Sequence, residues 1–155
     1  MKTEKSSCVI AAVILGCILT VIIAGAGWIG LELQLHQDVV RTWGNMGQVY
    51  KGLFMYSMSC GCYPPQQDME SLLETLRLKD GDFGKVWSID IKSAEYHAPQ
   101  GEIKVPDICQ EPILTIRVRR HVFGKRELYI VRRDGSGYTV NEADLKITAA
   151  PSSNQ

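Results

Sequence analysis

The stretch VIAAVILGCILTVIIAGAGWIGL, residues 9–31, is 23 residues long and carries no charged side chain. A bilayer core ~30 Å thick takes ~20 apolar residues as a helix, so this run is long enough to span one. Lys2, Lys5 and the amino terminus precede it, with Glu4 as the one acid, and Glu32 and Asp38 follow it before the first base, Arg41. Basic residues stay on the cytoplasmic side. The expected placement is a single pass through a bacterial inner membrane, N-terminus cytoplasmic and the bulk of the chain periplasmic.

Two fates of this segment are open. Ala24-Gly25-Ala26 fits the small-x-small site of signal peptidase, with cleavage after Ala26. Trp28, Ile29, Leu31, Leu33 and Leu35 extend the apolar character past that site, with no Pro or charge breaking the helix there, and favour an uncleaved signal anchor. Ile14-Leu15-Gly16-Cys17 resembles a lipobox, but its cysteine sits mid-run. Ala12, Gly16, Thr20 and Ala24 recur every four residues, a spacing that lets two membrane helices approach closely.

The whole chain has 155 residues, 17 Lys plus Arg against 17 Asp plus Glu, 45% hydrophobic and 22% charged residues. Such values exclude a disordered chain, a coiled coil throughout, a large multidomain enzyme and a polytopic membrane protein. The balanced charge gives no support to a nucleic-acid partner.

Past the apolar run the helical period persists to Met58. Val39, Trp43, Met46, Tyr50 and Leu53 fall on one stripe, with Gln34, Gln37, Asp38, Arg41, Gln48 and Lys51 between them. The stripe must bury against the protein's own head or a neighbouring copy. Cys60-Gly61-Cys62-Tyr63-Pro64-Pro65 ends the helix. Asp68 is the expected N-cap of a short second helix with Met69, Leu72, Leu73 and Leu76 on one face. Lys79–Asp82 is expected to be a loop, Val86–Ile91 a strand, and Ala94–Ile108 a loop. Ile113–Arg119 alternates, with Leu114, Ile116 and Val118 inward and Arg117 and Arg119 outward. Leu128, Ile130 and Arg132 share a face of the next strand. Asp134-Gly135-Ser136-Gly137 turns into Tyr138-Thr139-Val140, completing a three-stranded antiparallel meander. A last turn is expected over 142–145 and a frayed tail over 149–155.

This order of parts resembles the type IV pilin and type II secretion pseudopilin superfamily. The residues that carry the resemblance are Asn45-Met46-Gly47-Gln48, then Gly52-Leu53-Phe54-Met55-Tyr56, then Gly61-Cys62-Tyr63-Pro64-Pro65. The closing run is Gly124-Lys125-Arg126, Leu128-Tyr129-Ile130-Val131, Asp134-Gly135 and Tyr138-Thr139-Val140. The resemblance implies an apolar N-terminal helix packed on a small antiparallel sheet, and envelope or secretion subunits as partners. The leader departs from the family. Gly27-Trp28-Ile29-Gly30-Leu31-Glu32 has the Gly-to-Glu spacing of a prepilin site, but the apolar run lies before it. The implied protein is a pseudopilin-type fold on an ordinary signal anchor.

Chemistry-bearing residues are sparse. Cys60, Cys62 and Cys109 are candidates for a disulfide, one of the first two bridging to Cys109, since an extracytoplasmic space is oxidising. Cys17 lies in the apolar run and Cys8 immediately before it. C-x-C without a second pair is a poor zinc signature. His36, His97 and His121 are scattered, and no G-x-S-x-G, H-E-x-x-H or Walker motif occurs. Asp80, Asp82 and Asp134 match no calcium ligand set carried by the resemblance. Arg117, Arg119, Arg120, Lys125, Arg126, Arg132 and Arg133 crowd one segment with Glu127 as its acid, a candidate basic patch.

The expected fold is α+β: a transmembrane helix continuing into a long amphipathic helix packed on a small antiparallel β-meander head. The expected divisions are 1–31 (tip and anchor), 32–59 (amphipathic helix), 60–148 (head) and 149–155 (tail). The expected function is non-enzymatic: a membrane-anchored structural or interaction protein without metal or cofactor. Its expected partners are the membrane and other envelope proteins, pilin-like subunits or copies of itself. The alternative is a secreted binding domain, released after Ala26, that holds an anionic ligand on its basic sheet face.

Overall fold

The computed structural model describes residues 3–86, 88–99 and 110–142, with side chains from residue 12 onward except that of Asp80. The class is α+β. Helix α1 (Thr3–Cys60) and helix α2 (Met69–Thr75) precede strands β1 (Glu95–Tyr96), β2 (Pro112–Val118), β3 (Glu127–Arg132) and β4 (Gly137–Asn141). Contacts divide the chain into two units, Met1–Gln34 and Leu35–Gln155. The division falls inside α1, at Gln34 rather than Leu31. The later half of α1 belongs with the head rather than forming a unit of its own.

In the first unit α1 is long and apolar enough to cross a membrane, with an 18-residue window of mean hydropathy 2.4, none of it buried within the chain. Val13, Leu15, Val21 and Ile23 are each more than half exposed.

In the second unit α1 turns one side inward: Leu35, Asp38, Val39, Thr42, Asn45, Met46, Val49, Leu53 and Ser57 are buried, at steps of one, three and four. The expected stripe is therefore corrected. Val39, Met46 and Leu53 lie in the core, whereas Trp43 is 37% exposed and Tyr50 half-buried, both at the rim. Thr42 and Val49 take the inner positions. The shift has a physical reason. The inward side must satisfy backbone groups of a crossing segment as well as bury apolar area, so polar residues stand on it.

That segment is 84–88. Asn45 Nδ2 donates to Gly84 O at 3.0 Å, and Gly84 N–H donates to Asn45 Oδ1 at 2.9 Å. Asp38 Oδ2 accepts from the Ser88 hydroxyl at 2.6 Å and the Ser88 N–H at 3.1 Å. An Arg41 guanidinium N–H donates to Lys85 O at 2.9 Å. Gly84, Lys85 and Ser88 give backbone groups to helix side chains, Trp87 lies outside the described residues, and the strand expected over Val86–Ile91 is absent among the described ones. A 3₁₀ turn, Ile91–Ser93, follows it, and another, Asp80–Asp82, stands in the expected loop.

Helix α2 is capped by Asp68, which accepts from Ser71 N–H at 2.9 Å. Met69, Leu72 and Leu73 are buried. Its far end closes with Arg77 at φ 57°, while Leu78 N–H reaches Leu73 O at 2.9 Å. Such a left-handed position more often holds glycine.

The sheet has four antiparallel strands in the order β1-β2-β3-β4, one more than the expected meander. The extra strand, β1, pairs Glu95 with Thr115 and Tyr96 with Leu114, inside the region expected to be loop. In β2 the inward set Leu114, Ile116 and Val118 is buried, but so are Ile113 and Thr115. The register shifts between Pro112 and Leu114, making Ile113 the extra residue of a bulge. Its carbonyl accepts from His97 N–H at 2.9 Å. Val39, Met46, Val49 and Leu53 of α1 join Leu72, Tyr96, Ile113, Leu114, Ile116 and Val131 in one core. The expected turn over 142–145, apart from residue 142, and the tail over 149–155 lie outside the described residues.

Candidate functional site

The small-residue face of the first unit is open. Ala12, Gly16, Thr20 and Ala24 are exposed, a Cβ at Gly16 would meet no atom within 4 Å, and Thr20 Oγ1 donates to Gly16 O at 2.8 Å. That bond returns the hydroxyl to its own helix and leaves the face able to meet an apolar environment.

In the second unit α1 also presents an outer side. Val40 is 50% exposed, Trp43 37%, Phe54 40% and Met58 58%, and a Cβ at Gly44 or Gly47 would meet nothing. Trp43 stacks on Tyr129, ring centroids 5.5 Å apart, with the Arg120 guanidinium 5.3 Å from the indole centroid. The β3–β4 turn docks beside it: Tyr50 Oη donates to Arg133 O at 2.9 Å. Gly135 sits at φ 82°, and a Cβ there would meet the Tyr50 ring at 2.9 Å.

Arg117, Arg120, Arg132 and Arg133, four of the basic residues, are engaged by acids or rings. Arg117 bridges Glu142 at 3.1 Å and Glu95 at 3.3 Å. The Glu142 bond and charge, then Glu95, raise its pKa above the ordinary guanidinium value. Arg120 pairs with Glu127 at 3.0 Å. Arg132 stands over the Tyr138 ring, 4.2 Å from its centroid. Arg133 is buried, reaches Glu111 at 3.4 Å and stands over Tyr63. Arg119, Lys125 and Arg126 remain exposed around the β2–β3 turn, beside Phe123, itself 82% exposed.

At the end of α1 lies a groove of about 970 Å³. Lys51, Gly52, Met55, Tyr56 and Cys60 form one wall, and Leu76, Arg77 and Leu78 another. Cys60 and Cys62 are exposed and unbridged. Cys109, their expected disulfide partner, lies outside the described residues. The phenol of Tyr56 is raised above its ordinary pKa, first by the charge of Cys60, then by burial, the Cys60 hydrogen bond and Cys62.

The other candidates are occupied structurally. His97 Nε2 lies 3.0 Å from Thr115 Oγ1. Asp82 accepts from Lys79 N–H at 2.6 Å, and Asp134 accepts from the Ser136 hydroxyl and N–H at 2.6 and 2.8 Å. Among the described residues no three His, Cys, Asp or Glu side chains come together as a metal cluster.

Sequence reading missed Asp38, Thr42 and Asn45 as inward groups, because polar residues between apolar ones read as solvated. No family model, curated protein or solved structure matches the chain.

Proposed function

We propose that the chain is a non-enzymatic, single-pass membrane-anchored interaction protein. The first unit of α1 is its anchor in a bacterial inner membrane, and the second unit is a pseudopilin-like head outside the cytoplasm. The observation that carries the reading is a contrast along α1. From Val13 to Ile29 the large apolar side chains stand exposed, whereas from Leu35 onward the helix buries one side in a core. Surface of the first kind is stable when lipid covers it. The apolar, exposed Trp28, Ile29 and Leu33 beyond Ala26 favour retention of the helix over release of the head.

The outer side of α1 is the surface offered to partners. Val40, Phe54 and Met58 stand on it with Gly44 and Gly47 between, so a second helix meets apolar area and little bulk. Envelope or pilin-like subunits, copies of this chain among them, are the partners such a side fits.

Two readouts test the proposal. A membrane-impermeant maleimide added to intact spheroplasts should label Cys60 and Cys62; labelling confined to inside-out vesicles would reverse the topology. A photo-crosslinker at Val40 or Phe54 should capture a membrane or envelope protein, or a second copy. Clean recovery of monomer from both positions would remove the partner claim.

A further inference from the structure

We propose that the β2–β3 turn, residues 119–126, is a second membrane contact of the head: it lays Arg119, Lys125 and Arg126 against anionic phospholipid headgroups and sets the Phe123 ring among the upper acyl chains. The proposal rests on the membrane-anchored reading above.

Two contacts give the direction of the turn. Tyr50 Oη meets Arg133 O at 2.9 Å, and Trp43 stacks on Tyr129 with 5.5 Å between centroids. Going back along α1 from Tyr50 to Trp43 therefore goes back along β3 from Arg133 to Tyr129. The two steps match in length, ~10 Å along the helix and ~13 Å along the strand. Arg120, at the start of the turn, stands over the Trp43 indole at 5.3 Å and pairs with Glu127 at 3.0 Å. Continuing the same way, the rest of the turn lies beyond Trp43, toward Leu35, whereas the β3–β4 turn lies at the other end, beside Tyr50. Leu35 follows Leu31, the last residue of the charge-free run, by four positions. Chain length alone therefore holds this end of the head within ~14 Å of a bilayer that takes that run.

The composition of the turn fits that place. No acid stands between Arg119 and Arg126. Arg120 is paired with Glu127, while Arg119, Lys125 and Arg126 are exposed. The loop is closed by the Val118–Glu127 strand pair and by Gly124 N–H, which donates to His121 O at 3.0 Å. A Cβ at Gly124 would meet His121 Cβ at 2.9 Å, so any larger residue there forces the turn to shift. The turn places Val122 and Phe123 at its apex, where Gly, Asn, Asp or Ser serve in water. Phe123 is 82% exposed, more than any large apolar side chain described in the anchor. One exposed Phe is ordinary by itself. At the apex of a basic loop held near a bilayer it suits the interface, the ring meeting acyl chains and the bases meeting phosphates. A membrane plane asks only that these charges share one end of the head. Lipid is the partner that chain connectivity already brings to that end, and anionic headgroups complement its charge.

The test uses the full chain in phosphatidylcholine nanodiscs, with or without phosphatidylglycerol, carrying the photo-crosslinker p-benzoylphenylalanine in place of Phe123. Intact mass should show an adduct of one phospholipid, its yield about tenfold higher with phosphatidylglycerol. The yield should drop to the phosphatidylcholine level in high salt, and likewise in the triple variant Arg119→Gln, Lys125→Gln, Arg126→Gln. All three positions are exposed, so the triple variant should melt as wild type, and the salt arm needs no basic-residue variant. The same probe at Ser136, in the β3–β4 turn, should take up no lipid. A probe at Leu19 reports on the anchor separately. Lipid adduct at Leu19 with none at Phe123 overturns the role of the turn and leaves the anchored reading standing. No adduct at Leu19 overturns that reading, and the inference with it. Equal Phe123 adducts in the two bilayers overturn the headgroup contact. In native membranes, capture of a protein rather than lipid at Phe123 also overturns the proposal.

Discussion

Asn45 and Gly84 exchange two hydrogen bonds across 39 positions of sequence, the side-chain amide donating at 3.0 Å and accepting at 2.9 Å. The amide of Asn45 thus stands in for a neighbouring strand, binding one residue's C=O and N–H together. Asp38 at Ser88 and Arg41 at Lys85 O extend the same grip along α1. A loop that would otherwise lie loose over the head is pinned to the helix.

Asn45 is buried, so removing its side chain leaves Gly84 polar groups with fewer partners. Asn45→Ala should cost about 1–3 kcal/mol in chemical denaturation. The amide of Gly84 should also exchange faster with deuterium. A variant as stable as wild type would show that water replaces the pair without loss.

Leu53 and Phe54 are sequence neighbours about 100° apart around α1, one buried at 0% and the other 40% exposed. Leu53→Ala should cost about 2–5 kcal/mol, since it opens a cavity in the core. Phe54→Ala should leave stability nearly unchanged and reduce partner capture instead. Equal melting losses from both would mean that the outer side is not a free surface.

Gly135 is required twice, by its φ of 82° and by the closeness of the Tyr50 ring. Gly135→Ala should therefore destabilise by about 1–3 kcal/mol. Tyr50→Phe, which removes the bond to Arg133 O, should cost about 1 kcal/mol. A Gly135→Ala protein melting like wild type would remove the strain argument.

The Asp68 carboxyl is held below its ordinary value of 3.8, chiefly by the Ser71 N–H and then the Ser71 hydroxyl. A depressed folded pKa means that the cap's stabilisation is full above the unfolded value and fades as pH falls through the folded one. Melting temperature should drop on acidification below pH 3.8. In Asp68→Asn that acid-side slope should be shallower. The group is exposed, so the effect is small; identical slopes would show that the cap's charge contributes nothing.

Much of this fold was legible because periodicity and caps are local signals. The charge-free run, the Asp68 cap, the alternation of β2 and the Asp134-Gly135 turn each declare themselves within a few residues. What stayed hidden depends on distant partners. β1 has two residues, too few for any alternation, and exists because β2 offers an edge. Asp38 and Asn45 look like solvent-facing residues until the segment at 84–88 is laid against them. The run of basic residues reads as one patch because spacing alone does not show that Arg117 leans to Glu142 while Arg133 turns into the core.

The central claim is that the apolar helix stays on the protein as a membrane anchor. The intact mass of native protein from carbonate-washed membranes tests it most directly. A mass near 17.3 kDa, the full chain, is the predicted result. A mass lower by roughly 2.5 kDa, as signal-peptidase cleavage after Ala26 leaves, would contradict it.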